Sequence, residues 1–485
     1  MTDMEQLLEK LKTDVFAKRP TLGSIYAEHG KKTLFAYANA WQVQKNIPDA
    51  LLLNALARET ARLYGSEIAA GVAAQLQSLS LVSTIDHLGI LNHPFFVNSN
   101  VVYSLRQDIR YLICLATAGV SMNNQSSWSG CFLYHPDNQT ALHKIPLAAG
   151  SASMRTVFSA SAINAPEIKK FSQSLGLSQF TLEQKNSIAS LVDRLLSPKI
   201  LAQKNFSDQA CSMSSCLWRE YFPEGPQLIC LSLEDVLIDF FIGVLDSEQH
   251  ILTRLLTTER GWQLIEHYFE GMAGAFSAQG KGSFLFWGVD AKGKRVALRR
   301  QRNHLIGLSV SIALTPASLS SALRQRILYP GSLLSFLVLL SGGLTCLGGF
   351  NQTSWLTEVR EKFALLLSEL EEKKLALSVA AAQTQNFAET GLVFLIRNGS
   401  IVPASGIDIF LRRQPGLLRE YGNLAHELTL AQSIEVSLPE IAAVTGAALD
   451  WSAVKRGHVG RDIGQKNGLL AQVLHSMQSG CRPQG

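Results

Sequence analysis

Apolar positions along this chain follow two periods. Over the first eighty residues they recur at helical spacing. Met4 to Phe16 reads as one helix. PDALLLNALARETARLYG reads as a second, with Pro48 suited to a first turn and Gly65 at its end. SEIAAGVAAQLQSLSLV follows as a third, with Ser66 as a good N-cap. Later, TLEQKNSIASLVDRLL places Thr181 and Gln184 at capping-box spacing, and SLEDVLIDFFIGVL opens on Ser232. Thr258 to Phe276 reads as a further helix, and residues 357–383 give the strongest helical pattern of all. Elsewhere the period shortens to two. GSFLFWGVD and KRVALR flank the turn AKGK and predict a β-hairpin. CFLYH (131–135) predicts a short strand, and residues 390–412 predict two or three strands with Asn398-Gly399 as a turn. Asn100 to Gly119 is apolar without one period, so helix and strand both stay open.

Strand and helix do not alternate regularly. The pattern therefore predicts a helix-rich α+β fold, a large globular chain with a small antiparallel or mixed sheet, and neither a Rossmann nor a TIM arrangement. A stretch of small residues, 147–167, is read as a linker. It separates a helical N-terminal lobe (1–146) from a helix-rich α+β lobe (168–485) that holds the hairpin and a glycine-rich buried helix.

That glycine-rich segment needs a decision. Gly331 to Phe350 carries no charge over twenty residues, which is membrane-spanning length, and Arg324 and Arg326 precede it. It is the one such segment, however, and paired glycines interrupt it. A buried central helix is preferred, with a membrane anchor as the alternative. Its Gly342-Gly343 and Gly348-Gly349 do not make a phosphate loop, because Phe350-Asn351 stands where Lys and Ser or Thr are required. No GxGxxG, GxSxG, HExxH or kinase set occurs either, so no nucleotide cofactor motif is present.

Composition narrows the class. The charged fraction is 17%, below the typical value of about 25%, which points to a large core or a homo-oligomer interface. A net charge of +5, with no basic tail, does not indicate a nucleic-acid partner. The N-terminus lacks a basic start and an apolar core, and the seven scattered cysteines are not a disulfide framework. Both features suggest a cytoplasmic protein.

One stretch does not read as packing: TIDHLGILNHPFFVNSN, 84–100. It gathers Asp86, His87 and His93 with Asn92, Asn98 and Asn100. A carboxylate beside imidazoles suits a Zn or Fe site, or general acid–base chemistry with Asp86 orienting a ring. The plain alternative is a capping turn whose histidines satisfy buried carbonyls. Histidines six apart diverge on a straight helix, so the cluster requires a bent loop, and Gly89 and Pro94 are placed to bend it. Asn98, Asn100, Asn123 and Asn124 are read as polar orienters. Arg295 and Arg299, alternate on a strand, are read as a clamp for an anionic group, and Asn351 as part of the far wall. His135 and His143 read as exposed loop histidines. The expectation is a metal-dependent or His/Asp acid–base hydrolase or transferase for a small polar or anionic metabolite. A non-catalytic ligand-binding or assembly protein is the competing class.

Overall fold

The computed structural model describes residues 3–44, 47–124, 127–137, 139, 141–148, 155–272, 285–397 and 400–445. It is a helix-rich α+β fold, with 53% helix and 16% strand in small separate sheets. At its centre lies a four-stranded sheet in the order Thr345–Leu347, Leu81–Ser83, Tyr111–Ala116, Gln227–Ser232. All three pairings are parallel, with Leu81 opposite Thr345, Ser83 opposite Cys114, and Cys114 opposite Cys230. The strand sequences YLICLA and LICLS are continuous apolar runs, as a parallel sheet covered on both faces requires. This explains why Asn100 to Gly119 shows no single period. It holds the end of helix Pro94–Tyr103 and then a doubly buried strand.

The predicted helices Asp3–Lys18, Ala50–Tyr64, Leu182–Leu195 and Leu233–Val244 form, with Thr181 and Gln184 completing a capping box and Ser232 capping the last. Thr258 caps helix Glu259–Phe269, and the predicted extension to Phe276 leaves the described residues. The hairpin Phe286–Val289/Arg295–Ala297 and the ladder Phe394–Arg397/Ser400–Pro403 also form. The turn expected at Asn398-Gly399 lies outside the described residues. Four elements differ from the periodicity. The third predicted helix stops at Ser78, and its apolar tail Leu81–Ser83 becomes a central strand. Residues 357–383 split into Phe350–Glu369 and Lys373–Ala380 at Glu371, whose φ is +62°. The third strand expected after Pro403 is the short helix Gly406–Phe410. The 331–350 segment is a buried helix, Ser332–Ser341, followed by a turn at Gly343 (φ +74°) and the strand Thr345–Leu347. Gly343 adopts a left-handed conformation that a side chain disfavours, which is why the apolar run cannot continue as helix. Among the described residues no helix is long and apolar enough to cross a membrane.

The sheet takes two strands from before residues 147–167 and two from after. The two sequence lobes therefore share one core. From Leu81–Ser83 the chain steps to one side for two strands, then returns to the other side for Thr345–Leu347. In open parallel sheets such a reversal leaves a crevice at the C-terminal strand ends.

Candidate functional site

The 84–100 motif leaves the sheet at that reversal point. Thr84 holds the neighbouring strand end, giving both its N–H and its Oγ1 hydrogen to Leu347 O. Pairing then resumes with the other neighbour. Thr117 N–H donates to Asp86 O, and Leu88 N–H donates to Thr117 O. Asp86 and His87 are thus fixed by backbone bonds, although they lie outside a regular strand. Gly89 is needed because a Cβ there would come within 2.6 Å of Ser129 Cα. His93 caps helix Pro94–Tyr103, its Nδ1 accepting from Phe95 N–H at 3.3 Å. The bend required by the sequence is present. Both imidazoles pack on the Phe96 ring, at centroid distances of 5.5 Å for His87 and 5.0 Å for His93.

Burial sets the charge states. It holds His87 down at about 4 and His93 at about 3, the latter also opposed by charge on His87 and His135. Both rings are neutral at pH 7. Asp86 is 5% exposed. Burial pushes its carboxyl up to about 7, although an amide hydrogen from Asn100 Nδ2 at 2.9 Å favours the anion. Among the described residues Asp86 Oδ1, Asn100 Oδ1 and His87 Nδ1 are buried without hydrogen-bond partners. A proton on Asp86 would supply a donor where two acceptors lack one.

A second carboxyl lies within electrostatic reach of the first. Residues 386–388 extend the sheet beyond Gly348, with Gly348 N–H donating to Asn386 O and Ala388 N–H to Gly348 O. This brings Glu389 over the start of helix Phe350–Glu369, where its Oε2 accepts from Phe350 N–H at 3.0 Å. Burial pushes Glu389 up to about 7, and the charge of Asp86 adds to the shift. Gln352 Nε2 donates to Thr84 Oγ1 at 2.6 Å between the two strand ends. A third acid, Glu234, also sits at this edge and is raised to about 7 by burial, but both its oxygens are engaged by Ala118 N–H and Gly119 N–H.

His135 is not an exposed loop histidine. It is 6% exposed, and its Nδ1 lies 2.7 Å from Asp408 Oδ2. His143 bonds Gln139 through Nε2 at 2.8 Å. The remaining expected site residues do not come together at one place. Asn100 joins Asp86, whereas Asn98 is fully buried and its Oδ1 accepts from Leu392 N–H and Val393 N–H. Asn123 is exposed and Asn124 half-buried, in a turn where Asn124 O accepts from Ser127 and Trp128. Arg295 stacks over Trp287 at 4.3 Å and donates to Gly119 O, while Arg299 is exposed on a different sheet. Asn351 is exposed and accepts from Arg19 Nε at 2.6 Å. The basic, glycine-punctuated sequence KRGHVGRD (455–462), a further candidate for an anionic ligand on sequence grounds, lies outside the described residues.

Among the described residues no group of three or more His, Cys, Asp and Glu is gathered to hold a metal ion. Two cavities, of about 660 and 610 Å³, are lined by none of the histidines or carboxyls above. Neither a known family model nor any curated protein matches the chain. Glu389 and Asp408 escaped sequence reasoning because each stands alone in its local sequence, and His135 reads there as an exposed loop histidine. The one available signal was Ser405-x-x-Asp408, a capping-box spacing, which says nothing of His135.

Proposed function

We propose that this chain is an enzyme that moves protons on a small polar or anionic metabolite, in a hydrolase or transferase reaction. The observation that carries the reading is that two buried carboxyls at the reversal point of the parallel sheet, Asp86 and Glu389, are both pushed up to about 7. A carboxyl that is half-protonated at neutral pH serves as acid or base with little driving-force penalty. His87 and Asn100 border the pair and would orient the substrate. Partial exposure of His87, His93 and Glu389 beside buried Asp86 suits a solvent-reachable rim over a dry floor.

The Zn or Fe reading has weaker support. The hydrogen bond from Phe95 N–H occupies the lone pair of His93 Nδ1, which leaves the ring proton on Nε2. A neutral imidazole held this way is a donor, not a ligand. Metal analysis of untagged protein tests the point: sub-stoichiometric metal, unchanged by His87→Ala and His93→Ala, leaves acid–base chemistry. A cytoplasmic location fits the six free thiols among the described residues, and a homo-oligomer fits the low charged fraction.

Infrared titration tests the pair itself. Protonated-carboxyl carbonyl bands of Asp86, Glu389 and Glu234 should disappear as pH rises through about 7, one of them missing in Asp86→Asn, another in Glu389→Gln, and the Glu234 band remaining in both. Complete ionisation of both groups by pH 5 would refute the reading. Metabolites that raise the melting temperature of the wild type but not of these variants then identify the substrate class.

A further inference from the structure

Asn92, the residue before His93, ties three segments together. Its Nδ2 donates to Leu133 O at 3.3 Å, and its Oδ1 accepts from Ile407 N–H at 2.9 Å. Its own carbonyl accepts from Gly406 N–H at 2.9 Å. The start of helix Gly406–Phe410 and the end of strand Cys131–Tyr134 are therefore held beside His93. There the buried Asp408 carboxylate has four hydrogen-bonding neighbours, one of them the Ser405 hydroxyl, whose single hydrogen is shared with Leu133 O at 2.6 Å. They are His135 Nδ1 at 2.7 Å, His135 N–H at 3.1 Å, Ser405 N–H at 3.0 Å and Ser405 Oγ at 2.8 Å. These bonds outweigh burial and hold Asp408 below the ordinary carboxylate range, so it is an anion.

The rings of His135 and His93, close enough for charge on one to oppose charge on the other, are consequently fixed in opposite tautomers. Asp408 holds the ring proton of His135 on Nδ1, which leaves the lone pair on Nε2. Phe95 N–H occupies Nδ1 of His93, which leaves the proton on Nε2. One imidazole presents an acceptor nitrogen and the other a donor. A group that satisfies both must donate one hydrogen bond and accept another.

We infer that Asp408, His135 and His93 form a site for an O–H group, a substrate hydroxyl or a water, which His135 activates as an oxygen nucleophile. It rests on the acid–base reading above and adds the nucleophile's side of that reaction. The O–H proton passes to His135 Nε2, and its electron pair stays on the oxygen. Asp408 offsets the resulting imidazolium charge. His93 Nε2–H donates to the same oxygen and sets its direction. Among the other groups around His135, only Arg397 Nε is buried without a hydrogen-bond partner among the described residues. Arg397 Nη2 bonds His135 O at 3.4 Å and pairs with Asp137 at 3.3 Å, and Tyr221 donates to Leu91 O at 3.2 Å.

Carbethoxylation of the folded full-length chain by diethyl pyrocarbonate, mapped by peptide mass spectrometry, tests this, because the reagent requires an unprotonated ring nitrogen. His135 should be labelled in the native state, His93 at least roughly tenfold more slowly, and Asp408→Asn should slow His135 by about tenfold. Should Asp408→Asn not fold, nitrogen NMR of the histidine-labelled wild type decides, with protons expected on His135 Nδ1 and His93 Nε2. Labelling of His135 only on unfolding would make Asp408–His135 a strut and overturn the proposal. Equal labelling of His93, or reversed tautomers, would overturn it too. Repeating the labelling with glycerol, a 2-hydroxy acid and an aldose separates the two sources of the O–H. Protection of His135 identifies a substrate hydroxyl, and undiminished labelling identifies water. The infrared titration of Asp86 and Glu389 is independent of these residues, so failure of one result is distinguishable from failure of the other.

Discussion

Replacing Asp86 by asparagine should stabilise the protein at high pH and leave it nearly unchanged in acid. Asparagine has the shape of a protonated aspartic acid, keeps an acceptor for Asn100 Nδ2, and cannot ionise. In the folded protein Asp86 titrates at about 7, whereas an unfolded Asp titrates near about 3.9. Below the lower value both states hold the proton, and the wild type carries no penalty. Between the two values the folded state binds more protons than the unfolded one, so stability falls with rising pH by about 1.4 kcal/mol per unit. Above the upper value both states are ionised and the full cost, on the order of 4 kcal/mol, is present. The Asp86→Asn variant would not incur it. His87 and His93 act in the opposite sense. Their depressed values make stability fall as pH drops below the ordinary histidine range. The wild-type curve alone is therefore blunted, and the difference between variant and wild type cancels the histidine contribution. The assay is urea denaturation of both proteins at pH 4, 6 and 8. A difference that does not change with pH, or that favours the wild type at pH 8, would refute the assignment of Asp86 as a strained, functional carboxyl. Stability withheld at a reactive group is the usual signature of a site rather than a core.

Three further outcomes follow from particular contacts. Gly89→Ala forces a Cβ into the Ser129 backbone and should cost about 1–3 kcal/mol, seen as a lowered melting temperature; an unchanged value would mean that residues 127–130 are not packed on the motif. Asp408→Ala strands a buried imidazole and the Ser405 N–H, and a loss of roughly 3–5 kcal/mol in denaturant is expected. Thr181→Ala removes an exposed capping box and should cost only about 1 kcal/mol, without affecting the infrared bands of Asp86 and Glu389.

Part of the site was legible in the sequence. The motif 84–100 stood out because polar residues interrupted an apolar neighbourhood, and the requirement for a bend at Gly89 and Pro94 followed from six-residue spacing alone. His87 and His93 do share the Phe96 ring. Asn98 shows the limit of such reasoning. Its amide, equivalent on paper to that of Asn100, is consumed by two backbone donors nearly three hundred residues away. Arg295 and Arg299 alternate on paper as two residues of one strand, yet the chain changes sheets between them.

The division between sequence and fold has a physical cause. Local order was decided by local chemistry. Helical periodicity, the caps at Thr181 and Ser232, and the hairpin at residues 286–297 all act over a few residues, where side-chain spacing and backbone preference suffice. Elements whose identity depends on partners could not be settled this way. Leu81–Ser83 and Thr345–Leu347 are strands because each borders the other in a sheet buried on both faces, where an apolar run carries no period. The same sheet brings Glu389 within electrostatic reach of Asp86, and the helix cap at Ser405 places Asp408 on His135. A carboxyl's titration range and an imidazole's tautomer are properties of surroundings supplied by distant parts of the chain, so only the tertiary structure could decide them.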